Sequence, residues 1–184
     1  MVSEKYKLPG DWLNADFKKT DSYSPKLREH SIPYKTFSNI VHIRTITSEY
    51  LIAMKLMAGR RYKHDLSDIV GIFLEHKTKG NPIDVNEVKE AFKTLYGDID
   101  KMPKESAELL NQIGNTDNFN KLFDTIKTDE KDAKLILDNF SDKYPNVINR
   151  DNINNIVRQL VENKESTTNP TADADFSAGR VGSW

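Results

Sequence analysis

Apolar residues recur along most of this chain with a helical period. In "SEYLIAMKLMAG", Leu51, Ile52, Met54, Leu56, Met57 and Ala58 spread around nearly the whole helix circumference, which predicts a short buried helix over about 48–58. A capping residue at Thr47 or Ser48, Glu49 in the first turn and Gly59 at the end mark its limits. From Lys63 to His76, Leu66, Ile69, Val70, Phe73 and Leu74 follow an i, i+3, i+4, i+7, i+8 rule, so one face of this helix belongs to a core. Asp84 and Glu87 have the spacing of a capping box for a third helix over about 84–96, which Gly97 ends. Beyond Pro103, thin apolar stripes predict short helices at about 104–113, 118–127, 129–142 and 151–164, separated by Gly114, Thr128 and "KYPNVINRDN". Helices this short need one another, or a partner, to be stable.

One segment has a different period. In "FSNIVHIRTI" the β-branched residues Ile40, Val41, Ile43, Thr45 and Ile46 predict one strand over about 36–46. A single strand makes no sheet, so further strands are expected outside this chain, or this one packs in an unusual way. Residues 1–34 are polar and broken by Pro9, Gly10, Pro25 and Pro33, with an apolar knot at Trp12, Leu13 and Phe17 that predicts a short helix after Asp11. Residues 165–184 carry no periodicity and are expected to be disordered. The expected fold class is mainly α with a small β element (α+β), divided into 1–97, a helical region 98–164 and the tail.

Composition narrows the function. Across 184 residues, 27 Lys+Arg against 28 Asp+Glu leave a net charge of −1, which gives no global attraction to nucleic acid or anionic membrane and leaves only local patches. The absence of cysteine excludes disulfides, thiolate zinc sites and cysteine nucleophiles, and suits a reducing compartment. No apolar run approaches the roughly 18 residues of a membrane span, and the start has no signal-peptide core, so the expectation is a cytoplasmic protein with no membrane association. His30, His42, His64 and His76 lack the i, i+3 or i+4 spacing of a zinc pair. Neither a glycine-x-serine-x-glycine elbow nor a phosphate-binding glycine loop occurs.

The candidate chemistry lies in "KLMAGRRYKHDLSDI". Lys55 falls inside the apolar helix with no solvent stripe of its own, Arg60, Arg61, Lys63 and His64 crowd the following turn, and Asp65 and Asp68 lie close together on the next helix. On that helix Asp65 is at the rim of the apolar face and Asp68 is rotated toward solvent. A structural account makes Arg61–Asp65 an exposed ion pair and lets Lys55 bury its stem. A functional account brings Lys55, Arg60, Arg61 and Lys63 to one cleft as phosphate or ligand contacts, with Asp65 and Asp68 as supporting carboxylates. Either way, a buried ammonium must meet a carboxylate or reach a pocket, so Lys55 is expected beside Asp65 or Asp68, or lining a pocket with Arg60 or Arg61.

The same residues carry a resemblance. "LPGDWLN", a strand, then "EYLIAMKLMAGRRYKHDLSDI" resembles the C-terminal half of bacterial nucleotidyltransferase-like proteins of the DNA polymerase β-like superfamily, related to abortive-infection type IV toxins. The family helix of form leucine, alanine, x, lysine, leucine, x, alanine is followed by arginine and by lysine-aspartate-x-x-aspartate. Its matches are Leu51, Ala53, Lys55, Leu56, Ala58, Arg60 or Arg61, Asp65 and Asp68, with His64 where a lysine or arginine is usual. The resemblance covers about residues 7–97 and makes that region the remnant of a nucleotidyltransferase-like core, followed by a helical bundle.

The resemblance implies two further motifs, a glycine-serine turn and an aspartate-x-aspartate strand that binds two metal ions. The only Gly-Ser is Gly182-Ser183, and the strings Asp98-Ile99-Asp100 and Asp173-Ala174-Asp175 lack a strand context. The expectation is a nucleotidyltransferase-related protein without its metal-binding half. Alone it needs no cofactor; Mg²⁺ and NTP enter if a separate catalytic half is supplied. It would act by binding a protein, such as that half, or a phosphate-bearing ligand, with nucleic acid also open. The alternatives are a helical interaction module or inhibitor in a mobile-element, toxin–antitoxin or phage-defence setting, and an active enzyme with an unorthodox metal site.

Overall fold

Local signals set the helix ends. The computed structural model describes Lys5, Lys7, residues 16–149 and residues 151–168, the side chains of 165–168 excepted. Helix α1 spans Ser48–Ala58 and stops where Gly59 enters the left-handed region at φ 50°. α2 follows at Asp65–Thr78, α3 at Val85–Tyr96 and α4 at Lys104–Asn115. Asp84 caps α3 by accepting a hydrogen bond from the Asn86 amide at 2.8 Å, and Gly97 at φ 91° ends it.

The chain divides into two compact units, residues 1–134 and 135–184. In the first, α1 packs against α2, α3 and α4. Their facing stripes close over a core that includes Ile52, Leu56, Ile69, Val70, Val88 and Phe92, all fully buried. Helix α5, Phe119–Lys143, adds Phe119, Leu122, Phe123 and Ile126 to the edge of that core. The Phe123 ring lies over Gly71, where an added Cβ would make ordinary contact with it at 3.5 Å. The second unit, the rest of α5 with α6 (Ile153–Thr168), buries Leu137, Val157 and Val161.

Two expectations are corrected. Thr128 does not separate two helices, because its hydroxyl donates to the Asp124 carbonyl at 2.8 Å and the helix runs through it. The single strand expected over 36–46 is instead a hairpin, β1 at Ser31–Phe37 antiparallel to β2 at Val41–Ile46. Ser38, Asn39 and Ile40 connect them: Ser38 and Asn39 turn with φ of 49° and 53°, and the Ile40 amide donates to the Phe37 carbonyl at 3.0 Å. The chain is therefore mainly α with a small β element.

The arm before the hairpin is tied to the C-terminus of α3, whose last carbonyls have no partners within the helix. Ser24 Oγ donates to the Leu95 carbonyl at 3.0 Å, Lys26 Nζ to that of Thr94 at 2.8 Å, and Tyr96 Oη to that of Ser22 at 2.7 Å. Burial pushes the Tyr96 hydroxyl pKa far up, which keeps it a neutral donor. The helix expected after Asp11, with Trp12 and Leu13, lies outside the described residues. α6 carries regular backbone through Thr168, past the expected start of the tail at 165, and residues 169–184 lie outside the described residues.

Candidate functional site

The tight turn that Gly59 opens brings the charged residues together. Lys55 leaves α1 one turn before its end, and its Nζ lies 2.8 Å from Asp68 Oδ2 and 3.6 Å from Asp65 Oδ1 on α2. Asp65 is buried at 6 % exposure, and it also accepts from Arg60 through Nε at 2.6 Å and a terminal nitrogen at 3.2 Å. That bidentate grip raises the Arg60 pKa further, against the cost of burial. Lys55, Arg60, Asp65 and Asp68 thus form a closed network of two cations and two carboxylates. The pairing expected between Arg61 and Asp65 falls to Arg60 instead, because the left-handed turn directs the first arginine back toward α2.

Arg61 and Lys63 lie apart from this network. Arg61 lines a cleft of about 150 Å³ with Glu105, Glu108, Asp129 and Glu130, a setting that repels rather than attracts a phosphate. Lys63 is exposed, with its Nζ 5.8 Å from the centre of the Tyr62 ring.

Glu130 is a structural position beside the site that sequence reasoning missed. The first turn of α2 begins at His64, whose side chain caps nothing, so the amides of Leu66 and Ser67 need an outside acceptor. Glu130 on α5 supplies it. Its Oε1 accepts from Leu66 N at 2.9 Å and Ser67 N at 3.2 Å, and its Oε2 from Ser67 Oγ at 2.5 Å. His64 Nδ1 lies 3.6 Å from the same oxygen. Burial at 2 % exposure pushes the carboxyl pKa above its usual range, partly offset by the Ser67 and Leu66 hydrogen bonds and by His64. The poor cap at His64 is the one sequence signal of this need, and it does not say which residue answers it.

The hairpin is the other notable surface. Paired residues share a face: Ile32 with Thr45, Lys35 with Ile43 and Phe37 with Val41 on one side; Ser31 with Ile46, Pro33 with Arg44 and Thr36 with His42 on the other. Ile32, Phe37, Val41 and Ile43 therefore make one apolar face, and each is exposed. Tyr34, at the register shift between Pro33 and Lys35, is 71 % exposed, and Ile40 at the tip 79 %. At the base, Ile46 packs on the core and the His30 ring stacks on Tyr50 with 4.2 Å between centroids.

Among the described residues, Asp98 and Asp100 do not fit the two-metal chemistry that the resemblance implies. Asp98 and Asp100 belong to a helical turn, where the Asp98 side chain accepts from the Asp100 amide at 3.1 Å. Among the described residues no group of three or more His, Asp or Glu could hold a metal ion. Asp173, Asp175 and Gly182-Ser183 lie outside them. Among the described residues no helix is long and apolar enough to cross a membrane. Compared with known proteins, the chain matches no family model, no curated sequence and no solved structure.

Proposed function

We propose that this chain is a nucleotidyltransferase-related protein without its metal-binding half that acts by binding another protein. The observation that carries the reading is the hairpin: four apolar side chains on one face of a two-stranded ribbon lie open to solvent. A two-stranded ribbon is marginal by itself, and an apolar face of this kind on a folded body marks a contact surface. The closed pairing of Lys55 and Arg60 with Asp65 and Asp68 supports a structural role for that knot rather than a phosphate site. A separately encoded catalytic half, bringing its own Mg²⁺ and NTP, is one partner of this kind. An inhibitor or interaction module in a phage-defence setting uses the same surface.

The test is affinity capture from the native cell with the wild-type chain, a Val41→Asp/Ile43→Asp chain and an Arg61→Ala/Lys63→Ala chain. A protein held by the first and third and lost from the second supports the reading. Loss only from the third, with nucleotide released on elution, favours a phosphate-bearing ligand at the turn.

A further inference from the structure

The two edges of the hairpin differ. β1 carries Pro33, which has no amide hydrogen to offer, and beside it the register shift that leaves Tyr34 unpaired across the ladder. Proline and bulges are the devices that blunt a strand edge. β2 has neither: Val41, His42, Ile43, Arg44, Thr45 and Ile46 run in regular register. Its outer backbone groups pair with no other strand among the described residues.

β2 also alternates. Val41, Ile43 and Thr45 lie on the apolar face, and His42 and Arg44 on the other. From His30 to Thr47 there is no Asp or Glu, so no carboxylate on the hairpin pairs with Arg44 or with the Lys35 ammonium, whose Nζ lies 4.9 Å from the centre of the Phe37 ring. Arg44 donates to Ser31 only, through Nε to the hydroxyl at 2.7 Å and through a terminal nitrogen to the carbonyl, and both acceptors are neutral. Resting on the reading of the chain as a protein-binding module, we propose that the free edge of β2 takes an extended acidic segment of a partner protein in which apolar and acidic residues alternate. Main-chain hydrogen bonds hold the added strand, its apolar residues extend the face of Val41 and Ile43, and its carboxylates lie beside His42 and Arg44.

The other occupants fit less well. Two copies joined antiparallel through β2 about Ile43 place His42 of each opposite Arg44 of the other, two basic groups with no carboxylate between them. A nucleic acid meets only one formal cation per face, Lys35 on one and Arg44 on the other, too few for phosphate binding to dominate.

The experiment uses the full chain and terminally blocked synthetic peptides: one alternating valine and glutamate, one alternating valine and lysine, and a valine–glutamate peptide N-methylated along one edge. A single-stranded oligonucleotide is added as a separate arm. Binding is followed by anisotropy and by amide exchange. The valine–glutamate peptide is expected to bind at least about tenfold more tightly than the valine–lysine one and to slow exchange in Val41–Ile46. The N-methylated peptide loses binding, and His42→Glu/Arg44→Glu reverses the preference. Equal binding of both charge types, protection confined to β1, tighter binding of the oligonucleotide, or self-association of the chain overturns the proposal. If no peptide binds while Val41→Asp/Ile43→Asp still releases a captured protein, strand addition fails and the binding reading stands. If neither effect is seen, both fail.

Discussion

Ser67 and Glu130 are joined twice, amide to Oε1 at 3.2 Å and hydroxyl to Oε2 at 2.5 Å, across 63 residues of chain. With the Leu66 amide at 2.9 Å, this makes the carboxylate of α5 the cap of α2. Glu130→Ala leaves two buried amides without an acceptor and should cost about 2–3 kcal/mol in denaturant unfolding. Glu130→Gln keeps one acceptor and should cost less than half of that.

The same carboxyl gives a pH dependence. Its folded pKa lies above its unfolded one because burial disfavours the charge. Protonation therefore favours the folded state, and the group's contribution is full below the unfolded pKa and falls away as pH rises through the folded one. The stability of wild type minus that of Glu130→Gln should decrease as pH rises above the ordinary glutamate range. A difference that stays constant or grows contradicts the assignment.

In the ionic network the two carboxylates differ in weight. Asp68 is half exposed, so Lys55→Met should change stability by less than about 1 kcal/mol. Asp65→Ala strands the Arg60 guanidinium while Lys55 keeps Asp68, and should cost about 1–2 kcal/mol, reduced by the partial exposure of Arg60. A double-mutant cycle on Arg60 and Asp65 measures their coupling.

Much of this was legible from local pattern. The positions of α1 to α4 follow from apolar periodicity and from Gly59, Asp84 and Gly97, signals that act within one turn of the residues they control. The meeting of Lys55 with Asp68 and Asp65 follows from one physical requirement, that a half-buried ammonium finds a carboxylate. The hairpin was not legible in full, because "SIPYKTF" has no alternating apolar pattern and its Ser38-Asn39 turn lacks glycine. Nor was Glu130, whose acceptor role is set by packing between segments far apart in sequence.

Gly59 fixes the turn that assembles the site, and a side chain there meets two obstacles. Its φ is 50°, and a Cβ would approach Ser106 Oγ to 2.8 Å, the atom that donates to the Leu56 carbonyl at 2.7 Å. Gly59→Ala should destabilise the first unit by about 1–2 kcal/mol, read as a shift in denaturant midpoint with unchanged slope.

Catalysis by the chain alone is not expected. With Mg²⁺ or Mn²⁺ and labelled NTPs, the purified protein should transfer no label to protein or RNA. Asp98→Ala should remove only a cap on a short helical turn, at about 0.5–1 kcal/mol. Robust labelling abolished by Asp98→Ala or Asp100→Ala would contradict this.

We propose that the exposed hairpin, and not the cationic turn, is the working surface. The most direct test is a titration of the captured protein, once purified, against the wild-type chain, Val41→Asp/Ile43→Asp and Arg61→Ala/Lys63→Ala. A Kd raised at least about tenfold is expected for the hairpin variant, with the body's helical signal and melting intact, and no change for the turn variant. An unchanged Kd for the hairpin variant with loss of binding in the turn variant would contradict it.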